Sequence, residues 1–440
     1  METNTVTKLI LIARIAEERR TEKFTSLMHL LNAEYLLECF KELKKKKAAG
    51  IDGRTLESYS GEEIRNILEQ TALSIKQKRY HPKPVRRVDI AKENGKIRTL
   101  GIPTVVDKVV QQALTKILQA IYEPNFLEVS YGYRKGKDAH SCLKAVNHMI
   151  MQKKINWIID ADISGYFDNI DHTWMMRSLT ERIADPNFKS LIMRFLKAGI
   201  MRDRISEEIP KGTPQGGIIS PILANVYLHY VLDLWFEKQE KKQIQGYTQL
   251  IRYADDFIIG VQHAHEARQI LTDIEKRLQK FGLTLSVEKT GIKEFGRFAK
   301  ENQIKRGKRK PETFDFLGFT HYCTNTRDGR FMVSVKTSQK KMNKSIMAMD
   351  LWLKGIRSHK QLKEIWPSLK SKLQGHYNYY GVSGNIEDIK YYYHKTQKLI
   401  FRWMNRRSQK ATWNNEGFKA YLSQHALPEP KLTYAIYHTW

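Results

Sequence analysis

Two short apolar runs with a pair of carboxylates between them constrain this chain more than any other stretch. Leu250-Ile251-Arg252-Tyr253 and Phe257-Ile258-Ile259-Gly260-Val261 flank Ala254-Asp255-Asp256. β-Branched and aromatic runs of this length read as strands, and the Ala-Asp-Asp between them as the tight turn of a hairpin. Both strands are expected to be buried, which gives the turn a stiff support. Adjacent carboxylates at a hairpin tip repel each other, and either water or a divalent cation relieves that repulsion. Taken alone, the segment is equally a solvated Asp-Asp turn.

A second stretch has the same character. Trp157-Ile158-Ile159-Asp160-Ala161-Asp162 is an apolar run that ends in carboxylates, followed by Gly165, Tyr166 and Phe167. On its own, Asp162 is an aspartate at a strand end. If that strand lies beside the hairpin, Asp162, Asp255 and Asp256 converge. Three such carboxylates can hold two Mg²⁺ ions roughly 3.5–4 Å apart, activating an attacking hydroxyl and stabilising a leaving pyrophosphate. Mn²⁺ is an alternative of the same charge. Asp160 is two residues away and points the same way along a strand, so it is the fallback ligand.

Tyr253-Ala254-Asp255-Asp256, together with Asp162 and the aromatic Phe167 five residues on, resembles the palm of a reverse transcriptase. Lys211-Gly212-Thr213-Pro214-Gln215-Gly216-Gly217-Ile218-Ile219-Ser220-Pro221 narrows the resemblance to the group II intron-encoded reverse transcriptases and maturases. It runs from about Phe24 to near the C-terminus. The fold it implies is α+β: a right-hand polymerase, with fingers and palm around an antiparallel sheet and an α-helical thumb, the maturase X domain. The expected division is a helical extension over 1–75, fingers and palm over 76–330, thumb over 331–410 and a short tail over 411–440. The tail shows no Cys-pair or His-Asn-His pattern, so the endonuclease-lacking type is expected, and no RNase H candidate is seen.

The resemblance also implies roles for single residues. Asp162, Asp255 and Asp256 are the catalytic metal ligands. Phe167 lies under the sugar and leaves no room for a 2′-OH, although a core phenylalanine beside Tyr166 is the plain alternative. Gln215 holds the new base pair, between two glycines that let backbone approach a nucleotide. Lys92 and Arg98 contact the incoming triphosphate, and Lys289, ending an expected strand from Gly282, lies near the active-site phosphates. Lys92 and Arg98 sit on runs flanking Asn94-Gly95, a strong hairpin signal, and an exposed basic hairpin is the alternative there. Tyr253, Arg86, Arg134, Lys336, Lys340, Arg402 and Arg406 are candidate nucleic-acid contacts. For Arg134 the sequence does not choose between phosphate and packing on its neighbours.

Charge points to the partner. Lys plus Arg number 75 against 47 Asp plus Glu in 440 residues, a formal charge of +28. That excess calls for a polyanion. Membrane lipid is the rival, but no apolar run approaches the ~18 residues of a spanning helix. Lys44 to Lys47 read either as a solvated helix end or, by the resemblance, as template contacts. Cys39, Cys142 and Cys323 form no C-x-x-C pair, which fits a reducing compartment and argues against zinc. The expected setting is cytoplasmic. The expected partners are an RNA template, a structured intron RNA, a DNA primer or target, and dNTPs. Three functions remain open on sequence. They are a polymerase that also assists splicing and retrohoming of its intron, an RNA-binding splicing cofactor without polymerase activity, and a free-standing enzyme of DNA repair or phage defence.

Overall fold

The computed structural model describes residues 5–44, 47–91, 97–202, 205–207, 211–213, 216–308, 310–407 and 413–437. Among these, the strands are β1 (Val85–Ala91), β2 (Ile97–Ile102), β3 (Trp157–Asp162), β4 (Ile200–Arg202), β5 (Ile205–Glu207), β6 (Thr248–Tyr253), β7 (Asp256–Val261), β8 (Gly291–Glu294), β9 (Phe314–Phe316), β10 (Phe319–Asn325) and β11 (Phe331–Thr337). Helices and mostly antiparallel sheets, with one parallel pairing of β1 and β4, together make an α+β protein. No helix among the described residues is long and apolar enough to cross a membrane. The chain forms two interleaved compact units, 1–136 with 161–243 and 269–289, and 137–160 with 244–268 and 290–440.

In the first unit, helices Thr5–Glu18, Ala33–Glu42, Gly61–Lys76 and Val105–Tyr122 precede or follow a sheet of order β2-β1-β4-β5. Asn32, Ser60 and Thr104 cap three of these helices by accepting backbone N–H groups. β1 and β2 pair antiparallel from Arg86↔Ile102 to Ala91↔Ile97, as the alternating runs around Asn94-Gly95 predict; the turn itself lies outside the described residues. The helix Ser220–Leu228 has Ile219 at its N-cap and Pro221 in its first turn. Ser220 and every residue from Ile222 to Leu228 are buried. Two π-helical segments, His229–Asp233 and Phe236–Glu240, follow it.

One expectation is overturned here. Gly282 to Thr290 is not a strand. It makes a single antiparallel bridge, Ile163↔Leu285, and then turns. Lys289 N–H donates to Ser286 C=O at 3.1 Å, closing that turn. The alternation of Leu283, Leu285 and Val287 misled, because Leu283 is buried while Val287 is 92% exposed.

In the second unit a four-stranded sheet runs β6-β7-β3-β8, and a three-stranded sheet runs β11-β10-β9. The division between units falls inside β3, after Asp160. Helix Ala139–Gln152 contributes Met149, which packs beside Gly260, where any Cβ would meet its sulfur at 2.8 Å. β11 continues to Thr337, so Lys336 lies on a strand, and a helix begins at Gln339. Helices Gln339–Ile356, Leu362–Tyr380 and Ile386–Met404 share a core of Leu353, Leu369, Leu373, Tyr377, Ile389 and Ile400.

Two histidines are enclosed in this unit. His321 is fully buried, stacks on Phe314 at 4.5 Å, and neither ring nitrogen has a hydrogen-bond partner. His376 stacks on Tyr392 at 3.7 Å. Burial pushes the His321 imidazole down to about 3 and that of His376 to about 4. An unfolded histidine titrates near ~6.5, so below that pH the unfolded chain binds protons that the folded chain refuses. Their contribution is whole above the unfolded value and is lost as pH falls toward the folded ones, at about 1.4 kcal/mol per pH unit for each. The melting temperature is therefore expected to fall between pH 6.5 and 5. Replacing both (His321→Phe with His376→Phe) should flatten that slope, as measured by thermal denaturation across the range.

Candidate active site

The hairpin tip is tighter than its sequence suggests. Tyr253 pairs with Asp256, so only Ala254 and Asp255 make the turn. Hairpin turns of two residues need a positive φ at their first position, and Ala254 supplies it at +57°. An L-residue in this region costs about 1–2 kcal/mol. The flanking strands hold it there: Leu250, Ile251, Phe257, Ile258 and Ile259 are all at most 1% exposed. Arg252 is completely buried and donates from Nη1 to the Ala254 carbonyl at 2.8 Å. Asp255 and Asp256 are left half-buried.

Within the second unit, Tyr379 lies near this tip. Burial, and then Tyr380, Tyr253, Cys142 and Asp256 nearby, push the Tyr379 phenol up. Its hydroxyl donates to Leu317 C=O at 2.9 Å. Leu317 and Gly318, both at positive φ, form the β9–β10 turn. Asp160 is in a salt bridge with Lys293 at 2.9 Å.

Asp162 ends β3 in the first unit. Its Oδ2 takes the Lys289 ammonium at 2.8 Å, and its carbonyl accepts from Ser286 N–H. Lys289 thus meets a carboxylate in this structure. Gly165, in the left-handed region at φ +55°, starts the one-turn helix Tyr166–Asn169. Of the adjacent aromatics, Tyr166 is the core residue: it is 2% exposed and donates to Ala224 C=O at 2.6 Å. Phe167 stays half-exposed.

The Phe167 carbonyl in turn accepts from Thr213 N–H at 2.8 Å. Gly212 fits so closely over this corner that a Cβ would stand 2.7 Å from Asp168 O. Farther along, a Cβ on Gly216 would stand 2.8 Å from the Gly101 carbonyl of β2. Gln215 and Lys92 lie outside the described residues, as does the Arg98 side chain; the Arg98 backbone pairs with Ile90. Lys44, Lys47 and Lys108 line a cavity of about 350 Å³ that Gly216 and Ile218 also border.

The outlying candidates divide. Arg134 is buried and spends its guanidinium on Glu123 and on the Leu127 and Ser130 carbonyls, so the packed role is the one observed. Arg86 donates to Ala49 C=O. Lys336 and Lys340 are exposed. Arg402 approaches Asp350 at 3.9 Å, and Arg406 lies over the Trp403 ring. Sequence reasoning missed Arg252. A charged residue alternating with Leu250 on a buried strand was the available signal.

The donor set is chemically suited to a hard divalent ion, since carboxylate oxygens select Mg²⁺ or Mn²⁺ over softer metals. The Lys289 ammonium already shows that Asp162 draws a cation. Among the described residues, no three His, Cys, Asp or Glu side chains stand in ion-holding geometry.

Comparison with known proteins agrees with this chemistry. Residues 90–321 match the model of the family described as reverse transcriptase (RNA-dependent DNA polymerase), whose members use divalent metal ions. The group II intron-encoded protein LtrA of Lactococcus lactis subsp. cremoris is 31% identical over 459 aligned positions, covering 87% of this chain and 74% of that protein. Protein YkfC of Escherichia coli (strain K12) is 32% identical across 52% of this chain and 68% of its own length. Nuclear intron maturase 4, mitochondrial, of Arabidopsis thaliana is 27% identical over 141 positions, 32% of this chain and 17% of that protein. The chain belongs to the group II intron-encoded reverse transcriptases and maturases, and is an RNA-directed DNA polymerase.

Proposed function

We propose that Asp162, Asp255 and Asp256 act together as the metal ligands of nucleotidyl transfer, in a right hand of fingers, palm and helical thumb. The observation that carries this reading is the sheet order β6-β7-β3-β8. Asp256 opens β7 and Asp162 closes β3, its neighbour in that order. Asn156 N–H donates to Val261 C=O at 3.0 Å, which fits an antiparallel pairing of the two strands.

Two bound Mg²⁺ ions would lower the pKa of the primer 3′-OH and neutralise the leaving pyrophosphate. The chain's own residues do the rest. The hairpin holds Asp255 and Asp256 on a support that does not yield when charge shifts. Lys289 exchanges Asp162 for phosphate as substrate enters. Phe167, half-exposed beside a buried Tyr166, presents its ring to the sugar. Lys92, Arg98 and Gln215 meet the triphosphate and the new pair. Arg402, Arg406, Lys336 and Lys340 meet the RNA or the primer–template duplex.

The nucleic acids are the RNA template, a DNA primer or target, and the chain's own intron RNA, whose splicing and retrohoming it assists. Coverage of 87% of this chain by a group II intron-encoded relative favours that reading over a free-standing polymerase. The cytoplasm, reducing enough for three free cysteines, is the compartment that fits it.

Asp255→Asn is expected to lower primer extension by at least about a thousandfold while RNA affinity stays within about threefold, measured by extension and filter-binding assays. Full extension would sink the metal assignment. Phe167→Ala should relax dNTP-over-rNTP discrimination by about 10–100-fold, the scale of a lost steric contact in a pocket, read from kcat/KM for each nucleotide. Unchanged discrimination would return Phe167 to a packing role. RNA sequenced after purification from the native host should be dominated by one structured transcript containing the chain's own coding region. A diverse population with extension intact would point instead to a free-standing enzyme.

A further inference from the structure

The helix Val105–Tyr122 is apolar over most of its buried surface, with one exception. Asp107, Gln111 and Thr115 follow each other at four-residue intervals, so they lie on one face. All three are buried, at 2%, 5% and 8% exposure. Buried polar side chains are costly unless hydrogen-bonded. Asp107 meets that demand toward the lead-in to β1, accepting from the Tyr80 hydroxyl at 2.6 Å and from Lys83 N–H at 3.3 Å.

Gln111 faces a different segment. Its Oε1 accepts from Ile218 N–H at 2.7 Å and from Ile219 N–H at 3.4 Å. Backbone N–H groups can only donate, so these contacts fix which end of the amide faces the loop. The same loop is held at three other places. Gly212 N–H donates to Ile170 C=O at 2.7 Å, Thr213 N–H donates to the Phe167 carbonyl, and Gly216 lies against Gly101 of β2. Gly216, at φ +110°, admits that approach because it has no Cβ. The loop therefore connects the backbone of Phe167 to the base of the β1–β2 hairpin, and Gln111 fixes its far end.

We propose that Gln111 is a positioning residue for nucleotide binding. It touches no substrate. Its side-chain carbonyl sets where the Gly216-Gly217 backbone stands, and so the depth of the nucleotide pocket between that loop and Phe167. This rests on the polymerase reading above. A purely structural role, capping the start of the Ser220–Leu228 helix from outside, would lower stability and leave nucleotide affinity alone.

The test compares Gln111→Met and Gln111→Leu, which lose the acceptor at similar volume, with Gln111→Glu, which keeps acceptor oxygens. Extension of a primer on an RNA template gives KM for dNTP and kcat, and primer–template Kd and the melting temperature are measured alongside. Wild-type extension checks the polymerase reading independently; its absence would defeat that reading before any variant is compared. The expected result is a KM for dNTP raised about tenfold in the Met or Leu variant, the scale of one or two lost hydrogen bonds. kcat and primer–template Kd should stay within about twofold, and Gln111→Glu should sit near wild type. A folded Met or Leu variant with wild-type KM would overturn the proposal. So would a Glu variant as impaired as Met, or a failure of both Met and Leu variants to fold, which would make Gln111 a structural residue only.

Discussion

The support beneath the two adjacent carboxylates is the constraint on which the site depends. Asp255 and Asp256 cannot separate, being chain neighbours, the one in a turn of two residues and the other opening the strand that follows it. Their repulsion pushes the turn to open, and the positive φ at Ala254 adds strain in the same place. What opposes this is burial. Phe257, Ile258 and Ile259 are wholly enclosed, and burying such side chains is worth about 1.5–3 kcal/mol each. Arg252 adds a direct restraint, since its buried guanidinium holds the carbonyl of the strained residue itself. A charged side chain inside an apolar strand has a large desolvation cost. Its hydrogen bond to the turn offsets part of that cost.

The first unit uses a different device for the same end. No apolar run stiffens the segment from Lys211 to Ile219. It is fixed point by point, through backbone contacts that only glycine allows and through one buried amide. Buried strands hold a charge still along a whole hairpin, whereas separate anchors hold single positions.

The parts of the fold legible in the sequence were those with local causes. The β6–β7 hairpin was readable because β-branched runs and a turn signal lie within twelve residues. The β1–β2 hairpin was readable because Asn94-Gly95 demands one. Residues 282–290 were misread because alternation alone does not supply a pairing partner; β3 instead pairs with Gly291–Glu294, just beyond. Arg134 was undecided for a related reason: its partners Glu123 and Leu127 are close in sequence, but nothing local says that the loop closes on them. Gln111 and Arg252 went unnoticed because a polar residue on an apolar face reads as a blemish in the pattern. Only the folded structure shows what each is bonded to: for Gln111 a backbone more than a hundred residues away, for Arg252 the turn two residues on.

The excess positive charge can be taken further than a count. Several cations of the second unit lie over aromatic rings: Arg357 and Arg406 over Trp403, Lys372 over Trp352, and Lys395 over Tyr391, at 4.7, 5.6, 4.8 and 5.2 Å. A ring face restrains a cation by attraction to its electrons and leaves the N–H donors to point elsewhere. A long basic side chain ordinarily loses rotamer freedom when it binds phosphate, a cost of up to about 2 kcal/mol. Stacking takes some of that loss in advance. The aromatic content of the helix Ile386–Met404 therefore has two uses in one sequence. Tyr392 and Trp403 fill the core, and the rings of Trp403 and Tyr391 also carry cations. A +28 chain of freely moving lysines would attract RNA as strongly at long range, but it would bind any RNA in any register. Cations fixed on rings carry position as well as charge, and position is what recognition of one folded RNA requires.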